Sequence, residues 1–203
     1  EIAAALQKVG YEAVRVEGDR VRIDRPGVSI DLGGIAKGYF GDVAVRRLRE
    51  AGATRCIADI GADLVTWRAA DTREFEVGIR NPWGAGLMGV LTVANGSVVT
   101  SGDYERFFTV DDRRICHIID PRTGAPVEGM ESVTVLAPTG TEADALATGI
   151  FVLGFDAGAA LVESRADLEA VIVAAAADGT DQRRVFVSSG LVERLVWVEG
   201  ARP

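Results

Sequence analysis

The sequence predicts an α+β protein built of mixed, largely antiparallel sheets with a few packed helices. Three observations carry that expectation. Short alternating apolar segments recur along most of the chain. Helical periodicity is confined to a few stretches. Strands follow one another in runs instead of alternating with helices, as a doubly wound sheet would require. With 203 residues, 48% of them hydrophobic, the chain is long enough for one domain or two small ones with a sizeable core.

Residues 1–9 (EIAAALQKV) set Ile2, Leu6 and Val9 on one face and read as a helix end stopped by Gly10. Val14 and Val16, then Gly18-Asp19, then Val21 and Ile23 spell a hairpin. Val28 to Leu32 reads as a short strand running into Gly33-Gly34. A helix is expected from Ala36 to Ala51, with Val43, Leu48 and Ala51 inward, three arginines and Glu50 outward, and Gly52 closing it. Strands are expected at Cys56–Asp59, Leu64–Arg68, Phe75–Ile79, Gly89–Val93 and Ser97–Thr100. Phe107–Val110 and Ile115–Ile119 flank a polar turn at Asp111–Arg114, a second hairpin signature. Ser132–Ala137 is a strand broken by Pro138-Thr139-Gly140. Helices over Glu142–Leu153 and Asp156–Ser164 follow, then strands at Ala170–Ala175, Arg184–Val187 and Arg194–Val198.

Composition excludes several function classes. The apolar fraction rules out disorder, and two cysteines rule out a disulfide-stapled miniprotein. Thirty acidic against 22 basic residues give a net charge of −8, which repels phosphate backbones and argues against broad nucleic-acid binding. The longest apolar run, Ala170 to Ala177, falls far short of the ~20 residues of a transmembrane segment. Cys56 and Cys116 read as small buried hydrophobes. With His117 as the one histidine, neither a zinc cluster nor a two-histidine metal site is available.

Four segments carry chemistry. Asp31-Leu32-Gly33-Gly34-Ile35-Ala36-Lys37-Gly38 joins a strand signal to a helix through paired glycines, the arrangement that turns bare N–H groups and a positive helix end toward an anion. The same residues suit a tight turn that needs glycine, and the Walker spacing is absent. Thr100-Ser101-Gly102-Asp103-Tyr104-Glu105-Arg106 offers hydroxyls and a carboxylate at a strand end, as an ordinary turn also does. His117 sits in a strand-like run ending at Asp120-Pro121-Arg122-Thr123-Gly124. It is either a structural histidine or, because imidazole titrates near neutrality, a general base. Asp144 and Thr148, one helical turn apart in Thr141-Glu142-Ala143-Asp144-Ala145-Leu146-Ala147-Thr148, can offer two oxygens to Mg²⁺. Alternatively Thr141 is an N-cap with Asp144 at the third helical position, a capping box.

Together these segments resemble the FAD:protein FMN transferase (ApbE) family. DLGGIAKGY, TSGDYERFF, HIIDPRTGAPV and SVTVLAPTGTEADALATGIFVLG follow its motifs in order, and VGIRNP (Val77 to Pro82) fits the strand and turn between the first two. The match runs from the first hairpin to about Leu191, within one domain over 1–203. The resemblance implies an enzyme that splits the pyrophosphate of FAD and moves FMN onto a threonine or serine hydroxyl of an acceptor protein, with AMP leaving. It puts the Mg²⁺ ligands on Asp144, Thr148 and the backbone carbonyl of Gly34. It puts FAD contacts on Asp31, Gly33, Lys37, Ser101 and Asp103, and activation of the acceptor hydroxyl on His117. In Asp59–Asp63 (DIGAD), Ala62 stands where the family usually has a second glycine. A FAD pyrophosphatase using water, and a flavin-binding protein without turnover, are the alternatives. The family also implies a periplasmic or cell-envelope location. It further implies an N-terminal part of roughly a hundred residues ahead of this chain, with Glu1 as a truncation or cleavage point.

Overall fold

In the computed structural model, which describes residues 1–104, 107–110, 113–176 and 182–200, the chain opens with a short helix α1 (Ile2–Leu6) and a hairpin of β1 (Val14–Glu17) and β2 (Arg20–Ile23). Helix α2 (Ala36–Glu50) leads into β3 (Arg55–Ile60), β4 (Asp63–Arg68), β5 (Phe75–Arg80), β6 (Leu87–Val93) and β7 (Gly96–Gly102). A second hairpin, β8 (Phe107–Val110) and β9 (Arg113–Cys116), precedes β10 (Met130–Ala137). Two helices, α3 (Gly140–Leu153) and α4 (Phe155–Glu163), come before β11 (Glu169–Ala175), β12 (Arg183–Val187) and β13 (Leu195–Trp197).

The central sheet has the order β12-β11-β10-β7-β4-β3, and every neighbouring pair is antiparallel. Strands β10 and β11 are buried on both faces, which explains their near-continuous apolar sequences. Val133 and Val135 of β10 and Ala170 and Ile172 of β11 pack with Ile150 and Phe151 of α3 and Val162 of α4. The alternate residues Leu136, Val171 and Val173 face the opposite way, against Phe75, Val77, Ile79, Leu91 and Leu195 of the smaller sheet β13-β6-β5. Helices, central sheet and small sheet thus form three layers, and the α+β expectation holds.

Three local expectations fail for physical reasons. Val28 to Leu32 forms no strand; Ile30 and Leu32 are exposed, so the apolar side of that alternation is not buried. The inward stripe of α2 is Gly38, Gly41 and Val45, while Leu48 and Ala51 are exposed. Small residues win that face because backbone, not side chains, makes the contact: a Cβ on Gly38 would overlap the Gly140 carbonyl of α3. The strand expected over Ile115–Ile119 ends at Cys116. The chain bends at His117, where Ile118 N–H donates to Cys116 Sγ at 3.4 Å, and Ile119 bridges to Pro126 instead. The polar turn assigned to Asp111–Arg114 has Asp111 and Asp112 outside the described residues.

Candidate active site

Two helices that share a backbone contact build the site. The glycine turn enters α2 with Ile35 at its N-cap and no side-chain cap, leaving first-turn N–H groups to be satisfied from elsewhere. Asp144 of α3 does this: its Oδ2 accepts from Gly38 N–H at 3.0 Å. In return Asp42 of α2 accepts from Gly140 N–H (2.6 Å), Thr141 N–H (2.9 Å) and the Thr141 hydroxyl (2.6 Å) at the start of α3. Each helix therefore puts a carboxylate on the positive end of the other. Asp42 lies one turn after Gly38 on the same face, and an acid among inward-facing small residues is the sequence signal that would have revealed it.

The N-cap also shifts. Thr139, not Thr141, is the N-cap of α3, and its hydroxyl accepts from Glu142 N–H at 3.2 Å. The T-x-x-E spacing is Thr139 to Glu142, so Asp144 has no part in a box on its own helix. Its carboxyl is 3% exposed, and among the described residues no lysine or arginine pairs with it.

One cleft of about 870 Å³ collects eight of the nine site residues read from the sequence: Asp31, Gly33, Gly34, Lys37, Ser101, His117, Asp144 and Thr148. Thr148 Oγ1 lies 3.2 Å from Ser101 Oγ. Gly34 is close by, since a Cβ built on it would sit 3.7 Å from Thr148 Oγ1. Asp31 shapes the glycine turn, its Oδ1 accepting from Gly33 N–H at 2.6 Å. His117 is exposed at the cleft, with Nδ1 4.0 Å from Cys116 Sγ. Burial pushes the Cys116 thiol above its ordinary range, so it stays protonated near neutrality. The ninth residue, Asp103, lines a separate, smaller cleft with Arg80, Tyr104, Glu131 and Arg183. Gly102 ends β7 between the two.

Asp63, which no motif singled out, is 2% exposed and holds Lys37 Nζ at 2.9 Å. It follows a two-residue turn, Gly61-Ala62, closed by the Ile60–Asp63 pair, with φ of +62° and +71°. Ala62 is the one non-glycine residue with positive φ among the described residues. Left-handed alanine costs ~1–2 kcal/mol, less the extra unfolded-state freedom glycine would bring. Ala62→Gly is therefore expected to raise stability by about 0.5–1 kcal/mol. Urea unfolding checks this, and a loss of stability would show that the turn is unstrained.

A profile of the ApbE family matches residues 1–172. A Treponema pallidum protein named FAD:protein FMN transferase is 38% identical over 187 residues, covering 86% of this chain and 50% of its own length. One of the same name from Rhodobacter capsulatus is 34% identical, covering 93% of this chain and 35% of its own. The chain thus spans about half or less of these relatives. Among solved structures, the ApbE protein of Thermotoga maritima superposes with a TM-score of 0.82 at 33% identity, over 93% of this chain and 61% of its own. The Vibrio cholerae flavin transferase ApbE gives 0.79 at 29% identity, over 93% and 60%.

Proposed function

The chain belongs to the ApbE family, and on that premise we propose that it moves FMN from FAD onto a threonine or serine hydroxyl of an acceptor protein, releasing AMP. The observation that carries this reading is convergence. Segments more than a hundred residues apart in sequence, from Asp31 to Thr148, line one cleft with a cation, a glycine turn, a buried carboxylate, a hydroxyl and an imidazole.

The donor set fits Mg²⁺. A carboxylate as buried as Asp144, with no basic partner among the described residues, is costly unless a cation neutralises it. Thr148 and the Gly34 carbonyl add neutral oxygens, the hard donors that Mg²⁺ shares with substrate phosphates. Among the described residues no group of three or more His, Cys, Asp or Glu side chains is placed to hold a metal ion. We assign Asp144, Thr148 and the Gly34 carbonyl as its holders. When bound, the ion supplies positive charge for the pyrophosphate oxygens.

This chain's own groups do the rest. Lys37 and the N–H groups of the glycine turn hold the pyrophosphate, aligning attacking and leaving oxygens. His117 takes the proton of the acceptor hydroxyl. That oxygen bonds to the FMN phosphorus as the bond from phosphorus to the bridging oxygen breaks, and the bridging oxygen departs on AMP. An exposed base suits a hydroxyl delivered on another protein.

Incubation with FAD, Mg²⁺ and a threonine-containing acceptor peptide tests the reading. Fluorescent flavin is expected on the acceptor after denaturing electrophoresis, together with free AMP. AMP without labelling would make the protein a pyrophosphatase, and neither product would leave binding only. The same reading places the protein at the periplasm or cell envelope, which fractionation checks.

A further inference from the structure

We propose that Asp63 is a positioning residue for this cleft: it fixes the Lys37 ammonium where an oxyanion of the substrate's pyrophosphate is gripped. The inference rests on the transferase reading for the identity of that substrate. Its geometry stands apart from that reading.

The placement follows from strand periodicity. Residues two apart on β4 share a face, so Asp63 lies on the same side as Val65, which packs with Val45 of α2. That side carries the start of α2, where Lys37 sits. Leu64 faces the other way, into the cluster beneath the central sheet. The turn decides which residue points inward. With two left-handed residues the β3–β4 connection closes Ile60 against Asp63 with no residue to spare. Asp59 locks it, its Oδ1 accepting from Ala62 N–H at 2.8 Å. A one-residue slip would send Asp63 to the wrong face.

The electrostatics explain why the pair belongs to the cleft and not merely to the core. Asp63 is almost wholly buried, whereas the Lys37 side chain is 39% exposed and lines the cleft. An ammonium has three N–H donors, so a contact to Asp63 leaves donors for a second oxyanion. A lysine stem is rich in rotamers, and tethering its end before substrate arrives lowers the ordering cost of binding. Asp63 thus acts on substrate through Lys37, without contact of its own.

A double-mutant cycle tests this with Asp63→Asn, Lys37→Met and the pair, titrated with FAD and with inorganic pyrophosphate. Asp63→Asn is expected to weaken both ligands about tenfold in the wild-type background and to have no further effect once Lys37 is methionine. A purely structural role would weaken binding equally in both backgrounds, and that result, or unchanged affinity in Asp63→Asn, overturns the proposal. Asp63-dependent pyrophosphate binding without flavin transfer would sink the transferase reading and leave the positioning role standing. Binding of neither ligand by the wild-type protein would overturn both.

Discussion

Asp144→Asn is expected to cut flavin transfer by about 100-fold or more, because a metal's charge stabilisation of phosphoryl transfer is worth several kcal/mol. The same change should not destabilise the protein without metal. Asparagine keeps a side-chain carbonyl for Gly38 N–H, so the cap on α2 survives. It also removes a charge that no basic residue among the described ones neutralises. The melting temperature without divalent cation should therefore hold or rise. Saturating Mg²⁺ should stabilise the wild type, by about 2.7 kcal/mol at 100 times its dissociation constant, and leave the variant unmoved. Thermal unfolding with and without Mg²⁺ reads this directly. A variant that keeps the Mg²⁺-dependent shift and its activity would reduce Asp144 to a helix cap.

Gly38→Ala is expected to be the most damaging single added methyl group among the described glycines. In an ordinary helix interior this substitution stabilises by about 1 kcal/mol. Here the new Cβ would run into the Gly140 carbonyl and come within 2.8 Å of Thr141 N. Both are backbone atoms, with no flexible side chain to yield. Relief requires α2 and α3 to part, which also pulls Asp42 from the start of α3 and Asp144 from Gly38. A destabilisation of about 3 kcal/mol is expected, reversing the usual sign. Chemical denaturation measures it, and a stability within error of wild type would mean that the close helix contact carries no weight.

What was legible in the sequence divides along a physical line. Period-two alternation announced nearly every strand of the two main sheets, because burial on one or both faces writes itself into adjacent residues. Ser132–Ala137 and Ala170–Ala175 fall within one or two residues of β10 and β11. Val28–Leu32 shows the same alternation without burial, and local pattern does not distinguish the two cases. The four chemical segments were legible as segments, and eight of their nine residues meet in the cleft. Their meeting was not, since it depends on a glycine contact between two helices. Asp42 and Asp63 went unread for the same reason: one serves amides 98 and 99 residues away, the other a lysine on a packed helix. Thr139 was missed on local grounds. Two threonines two residues apart each have an acid three residues on, so spacing alone does not choose between them, and it is Thr139 whose hydroxyl accepts from Glu142 N–H. The departure at Ala62 proved informative, marking a left-handed turn that fixes the neighbouring carboxylate.

On the proposed reading, the cleft delivers flavin to a hydroxyl with His117 as the base. The most direct measurement compares wild type and His117→Asn for covalent labelling of an acceptor peptide at saturating FAD and Mg²⁺, with FAD binding measured on both. General-base catalysis is worth about 10²–10⁴-fold, so labelling by the variant should fall by that factor while FAD affinity stays at the wild-type value. Undiminished labelling by His117→Asn would contradict the account.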